Sequence, residues 1–322
     1  MKRWAPESLL TLALLLLCAV SAPVGSSHLE AWQLFSPDPA LAKLARLVVV
    51  DIRLPRTVLA ILAGASLGLS GAVLQGLLRN PLADAGIIGI SASASLGAVL
   101  MFYFDLWSVA VGGIAGSLIG LLLLMALAGR NVGTLTLILA GLALSSFAVA
   151  LTSLALNLAP SPLAAYEIMF WLLGSVADRN WHHVMTALPF VLAGLAVLLT
   201  TGRGLSALTL GDEVAHSMGI NLRRLSLAAI GGTALAVGAA VAVTGSIAFV
   251  GLVVPHILRP FVKYDPARLL PVSALGGAVL LLAADIVIRL LALGQELKLG
   301  VATAMIGAPF FLWRVIRLRR EA

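Results

Sequence analysis

Charge is scarce in this sequence, as are the residue types on which most soluble enzymes depend. Only 11% of the 322 residues are charged, against about 25% in an ordinary soluble domain. The single cysteine, Cys18, excludes an intramolecular disulfide framework and a cysteine-built metal cluster. Lysine is confined to Lys2, Lys43, Lys263 and Lys298, and no GxxxxGK[ST] loop occurs. The chain therefore has no glycine-rich cradle for nucleotide phosphates, and any ATP and Mg that drive it are expected on another polypeptide. The HExxH and GxSxG patterns are missing too, which argues against an intramembrane hydrolase, so no catalytic residue and no metal ligand is assigned. His256 is remote in sequence from His182, His183 and His216, so it reads as a hydrogen-bonded side chain and not as a metal or haem ligand. The net charge of +7 is spread between apolar runs and forms no basic face, so nucleic acid is not an expected partner.

Apolar sequence is what the chain has in abundance: 61% of residues are hydrophobic and the mean hydropathy is +1.07. This composition belongs to a polytopic membrane protein, and in lipid the spanning elements of such a chain are helices. The expected fold class is all-α, with residues 1–322 forming one transmembrane domain. Gly, Pro and charge punctuation divides the chain into about ten spans. They fall near 7–26, 55–78, 86–104, 107–128, 135–158, 184–202, 226–245, 247–262, 270–293 and 299–316. Met1 to Arg3, the run Leu9 to Val20 and the small Ser21 and Ala22 resemble a cleaved signal peptide. With so many spans following, a retained first helix is expected. An even number of spans puts both ends on one side. With that side inside, the inner basic residues, among them Arg79, Arg203, Arg223, Arg224 and Arg268, outnumber the outer ones.

A polar stretch, residues 205–222, separates two apolar runs. Thr209 is placed to cap a short helix with Asp212 at its third position. Leu210, Val214 and Met218 recur every fourth residue, and Gly219 ends the helix in a left-handed conformation. Flanked by Arg203, Arg223 and Arg224, and too short to span, this piece lies at the cytoplasmic surface. It is either a capped loop helix resting on the membrane or a docking element for a soluble partner.

Other features invite two readings each. Arg53 and Arg56 bracket Leu54-Pro55 at the outer mouth of the second span, where they either snorkel to headgroups or receive carboxylates from an external protein. Asp285 and Arg289 lie one helical turn apart inside the ninth span, as an ion pair or a proton relay. Gly64, Gly68, Ala72 and Gly76, and again Gly112, Gly116 and Gly120, form small-residue faces for close helix packing. Two spans look interrupted: the piece after Asn80-Pro81 with Ser91 and Ser93, and Gly245 to Pro260 with Gly251 and Pro255. Irregular backbone at membrane depth marks a buried or cavity-lining position.

Seven segments in this order carry a resemblance. They are RLPR at 53–56, GAVLQGLLRNPLAD at 71–84, LILAG at 137–141, LGDEVAHSMGI at 210–220, GSIAFVGLVVPHILR at 245–259, LLAADIVIR at 281–289 and IGAPFF at 306–311. Together they resemble the FecCD-type permease subunits of type II ABC importers for iron-siderophore complexes, haem and vitamin B12. The resemblance implies ten transmembrane helices, with the second to fifth and seventh to tenth related as inverted repeats. It implies a homodimer with a second permease copy, in the bacterial inner membrane. The implied partners are a cytoplasmic ABC ATPase dimer and a periplasmic or surface substrate-binding protein. By position, Leu210, Gly211, Asp212, Glu213, Val214, Ala215, Met218 and Gly219 match the family's ATPase-coupling helices. Arg53, Arg56 and Arg289 match its docking arginines, and Thr134 and Leu135 its cytoplasmic gate. Gln75, Asn80, Ser91 and Ser93 are expected along the translocation pathway. The implied cargo is an iron chelate, a ferric siderophore or haem, with vitamin B12 as the alternative. A proton-driven secondary transporter using Asp285 is the rival reading.

Overall fold

A computed structural model describes residues 6–25, 33, 36–104, 108–129, 133–291 and 297–321, and every regular element among them is helical. The first half runs α1 (Pro6–Ser21), α2 (Pro39–Arg46), α3 (Leu54–Leu77), α4 (Ile90–Tyr103), α5 (Val109–Ala128), α6 (Thr134–Asn157) and α7 (Pro162–Leu172). The second runs α8 (Trp181–Thr200), α9 (Gly202–Leu208), α10 (Asp212–Ser217), α11 (Leu222–Thr244), α12 (Val250–Leu258), α13 (Pro266–Leu291) and α14 (Leu299–Glu321). Six helical stretches are long and apolar enough to cross a bilayer: Pro39–Leu77, Val109–Ala128, Thr134–Asn157, Trp181–Thr200, Leu222–Thr244 and Pro266–Leu291. Four shorter apolar helices, Pro6–Ser21, Ile90–Tyr103, Val250–Val262 and Leu299–Leu312, occupy the other expected positions.

The packing has an internal two-fold logic. Exchanging α3, α4, α5 and α6 for α11, α12, α13 and α14 turns each of the following contacts into another. The α3–α13 contact becomes α11–α5, α3–α12 becomes α11–α4, α4–α5 becomes α12–α13, and α5–α6 becomes α13–α14. This contact pattern is that of two related halves, as a repeat architecture requires. Small residues make the closest of these crossings possible. A Cβ on Gly64 would overlap the carbonyl of Gly277, and one on Gly68 the carbonyl of Ser273, so α3 and α13 touch backbone to backbone. Gly97 against Gly112 and Gly116 against Ser93 do the same for α4 and α5. In lipid, where apolar burial supplies no net drive between helices, such dispersion contacts hold the bundle.

Two boundaries differ from expectation. Pro55 does not begin a helix, because the chain is already helical from Pro39, and a π-helical turn at Leu47–Arg53 joins α2 to α3. Proline has no N–H and its ring crowds the carbonyl four residues back. The wider turn absorbs that, and the Leu54 N–H bonds five residues back to Val49. The short helix α7, with Ser161 accepting from the Ala164 N–H and Pro162 in its first turn, was not anticipated. Both interrupted regions are irregular as expected: α4 follows Gly89 and α12 follows Phe249, each in a left-handed conformation.

Candidate functional site

At the inner end, α9 and α10 form a compact hairpin between two membrane helices. Thr209 does not cap α10 as expected. It closes α9, with its hydroxyl donating to the Ser206 carbonyl, and Gly211 at φ 108° redirects the chain so that Asp212 is the first residue of α10. Gly219 at φ 81° ends α10, and the Ile220 N–H reaches back to the Ala215 carbonyl, closing the left-handed cap. Ala215 points down and is fully buried, while Leu210, Val214 and Met218 stand out at 61%, 44% and 59% exposure. The greasy side therefore faces away from its own bundle, with Asp212 and Glu213 exposed at its edge.

Side chains tether the hairpin to two helices that themselves pack together. Arg79, just past the end of α3, pairs with Asp212. The Ser206 hydroxyl donates to Asp265 Oδ1 at 3.2 Å, the same oxygen that accepts the Ala267 N–H at 3.0 Å where α13 starts. Arg79 has φ 47°, a left-handed position after a helix where glycine is usual. Keeping a long side chain there costs about 1–2 kcal/mol, and in return it reaches α10. Thr134 and Leu135, the expected gate, are both exposed in the first turn of α6. Thr134 lines a small hollow with Leu77, Leu208, Asp212 and Leu222, so it shares one space with the α9–α10 hairpin.

Burial sets the outer end apart. Asp285, 1% exposed, accepts from Arg56 Nε at 2.9 and 3.2 Å and Nη2 at 2.8 Å, and pairs also with Arg289. Arg289 Nη1 donates to the Ser21 carbonyl at 3.2 Å and the Val24 carbonyl at 3.4 Å. Arg53 Nη1 donates to the carbonyls of Ala22 at 2.8 Å and Pro23 at 2.9 Å. The expectation that proline at the helix entry leaves both the Arg53 and Arg56 guanidinium groups at the outer surface is therefore corrected for Arg53. Arg53 and Arg289 are buried, and Arg56 keeps a narrow exposed edge. The cause is the end of α1, whose last carbonyls lack intrahelical donors. α1 has no basic residue in its own last turn, and arginines from the π-turn and α13 supply the cap instead.

The expected pathway residues separate into two kinds. Gln75 and Ser93 are buried within the chain's own packing. Pro255 has no N–H to give the Gly251 carbonyl, and Gln75 Nε2 approaches that carbonyl and that of Leu252, each at 3.3 Å. Arg259 Nη2 holds Gln75 Oε1 at 2.7 Å from the other side. Ser93 is wedged against Gly116 and Gly120 of α5. Asn80 caps its own turn by accepting the Leu82 N–H at 3.0 Å, and Ser91 stays half-buried.

The model of the FecCD transport family matches residues 10–317. The chain belongs to the FecCD transport family. The cobalamin import system permease BtuC of Halobacterium salinarum is 41% identical over 96% of this chain and 89% of its own length. The hemin transport system permease HmuU of Yersinia pestis is 38% identical over 84% of each chain. A solved structure described as an inward-facing conformation of a metal-chelate type ABC transporter superposes with a TM-score of 0.87 at 32% identity, covering 97% of this chain and 98% of that one. This FecCD chain is thus a multi-pass inner-membrane permease subunit of a type II ABC importer, and the ATPase is a separate subunit.

Sequence reasoning missed three working residues of the permease: Arg79, Asp84 and Asp265. Asp84 Oδ1 accepts the N–H groups of Gly86 at 2.9 Å and Ile87 at 3.2 Å, fixing the irregular lead into α4. Burial pushes its carboxyl above the usual carboxylate range, and the two backbone donors pull it partly back. The run Asn80-Pro81 marked the break, but only the folded loop shows which side chain holds it.

Proposed function

We propose that this FecCD permease moves an iron chelate, a ferric siderophore or haem, driven by an ATPase dimer that grips α10. The observation that carries this reading is the exposure of Leu210, Val214 and Met218 on and beside α10, with Leu210 just before Gly211 and Met218 just after Ser217, and a glycine of positive φ at each end of this piece. A short, rigid, apolar knob at the inner surface fits a cleft in a soluble partner. Its ties through Asp212 to α3 and through Ser206 to α13 pass displacement into the helices that cross at Gly68 and Ser273. An ATPase with equal affinity for both permease states would shift nothing, so these ties are where the differential coupling acts. Thr134 and Leu135 form the inner gate beside that knob.

A substrate-binding protein docks at the outer end, where Arg56 offers its exposed edge and Arg53 and Arg289 hold the frame. A second permease copy sits along α6 and α14, whose Leu139, Leu142, Phe147, Met305 and Ile306 are exposed. The half-buried Ser91 faces the route. ATP and Mg stay on the partner, and this chain binds no cofactor of its own. Clamping of Asp285 by two guanidinium groups speaks against the proton-relay reading.

Vitamin B12 is the second reading of the cargo, favoured by the 41% identity to a cobalamin permease. Proteoliposomes holding the permease, its ATPase and its binding protein, offered haem, a ferric siderophore and cobalamin side by side, decide between them. ATP-dependent accumulation of an iron chelate supports the proposal, and accumulation of cobalamin alone overturns it.

A further inference from the structure

The last turn of α3 meets the inner hairpin on one side and α12, the helix interrupted by Pro255, on the other. Arg79, just beyond that turn, pairs with Asp212 of α10, and Leu205 of α9 packs over Gly76. The Asn80 N–H reaches back to the Gln75 carbonyl at 3.2 Å, which closes the turn that presents Arg79. Gln75 itself is 3% exposed, and its side chain is spent on α12.

Gln75 grips α12 on both sides of the proline. Its amide nitrogen donates to the Gly251 and Leu252 carbonyls before Pro255, and its oxygen accepts from Arg259 Nη2 after it. Proline gives the Gly251 carbonyl no N–H, so at this point the two parts of α12 are joined through a side chain of α3. One turn along α3 the backbones themselves touch, because a Cβ on Gly71 would overlap the Gly251 carbonyl. In the other half the matching crossing is α11–α4, and among the described residues no side-chain hydrogen bond joins those two helices. There the Thr233 and Thr244 hydroxyls bond back to carbonyls of their own segment, and close packing holds the crossing. The polar tie to α12 is thus an addition to the packing of the repeat. Breaking buried hydrogen bonds without replacing the partners is costly, so α3 and α12 shift together where the exposed Arg79–Asp212 pair can yield. At its other end α12 starts at Phe249, and a Cβ on Gly307 of α14 would overlap that side chain.

We propose, on the reading that an ATPase grips α10, that Gln75 is the positioning residue that carries displacement of α10 into α12 and on to α14. The test uses proteoliposomes holding the permease, its ATPase and its binding protein, with haem, a ferric siderophore and cobalamin as probes, and reads solute imported per ATP hydrolysed. Gln75→Met keeps the volume and removes the bonds to Gly251, Leu252 and Arg259. It is expected to lower the unfolding temperature in detergent and to cut import per ATP about fivefold. Pro255→Ala gives the Gly251 carbonyl an N–H within α12, so the double variant Gln75→Met/Pro255→Ala is expected to unfold close to Pro255→Ala. Its import per ATP is expected to stay about fivefold below that of Pro255→Ala, because α3 and α12 remain unlinked. Recovery of both quantities in the double variant would reduce Gln75 to a donor for one carbonyl and overturn the proposal. Wild-type import per ATP in Gln75→Met overturns it too. Val214→Asp in the same vesicles separates the two readings. Wild-type import by Val214→Asp removes the α10 reading and this proposal with it, whereas uncoupling by Val214→Asp beside unaltered coupling in Gln75→Met overturns the role of Gln75 alone.

Discussion

Both ends of this permease join an aspartate to an arginine across distant helices, and the two pairs sit in opposite surroundings. At the outer end Asp285 is almost wholly buried between Arg56 and Arg289, while Arg289 also holds the Ser21 carbonyl that ends α1 and Arg53 the Ala22 carbonyl just beyond it. At the inner end Arg79 and Asp212 keep side chains 47% and 65% exposed. Removing one partner of a buried pair strands a charge in a medium that cannot solvate it, whereas water takes over at an exposed pair. The outer cluster is therefore a fixed joint. The exposed inner pair can break and re-form at little cost, as the coupling role proposed for the hairpin requires.

Mutations at the two ends sharpen this contrast. Asp285→Ala leaves two guanidinium groups facing each other, and a loss of about 3–5 kcal/mol is expected, read as a large drop in the thermal unfolding temperature in detergent. An unfolding temperature close to wild type would remove the basis for calling the outer end a joint. Val214→Asp should leave unfolding unchanged, and Asp212→Lys should lower stability by only about 1 kcal/mol, while in both uptake and ATPase stimulation fall by about tenfold or more, an effect on coupling of about 1.4 kcal/mol.

A double-mutant cycle on Arg79 and Asp212 is expected to give a coupling of about 0.2–1 kcal/mol that shrinks with salt. The same cycle on Arg56 and Asp285 should be larger and insensitive to salt, and equal values would erase the distinction between the ends.

The smallest effect is expected at Asp84. Its pKa is raised in the folded protein, so folding favours the protonated form, and its ionisation costs stability once pH rises above the unfolded value of 3.8. Asp84→Asn keeps an oxygen for the Gly86 and Ile87 N–H groups and removes the charge. Its unfolding temperature should match wild type near pH 3.8 and exceed it increasingly toward pH 7.

Much of this was legible in the residues. Apolar runs placed the helical segments, and the spacing of Gly64 and Gly68 correctly predicted a face where backbones meet. The every-fourth-residue spacing put Leu210, Val214 and Met218 on one helix, whereas only Val214 lies within α10; all three are nonetheless exposed. What the residues hid depends on partners far along the chain. Arg53 looks like a surface arginine until the carbonyls of Ala22 and Pro23 arrive beside it. That Gln75 also serves the Gly251 carbonyl, which Pro255 leaves without its donor, is visible only in the fold. Thr209 has the chemistry of an N-cap, but the φ of Gly211 moves the helix start beyond its reach.

The most direct test of a permease driven through α10 is solute accumulation in proteoliposomes prepared with and without the partner ATPase. Accumulation that requires both the ATPase and ATP is the predicted result. Accumulation by the permease alone, powered by a proton gradient, would contradict it.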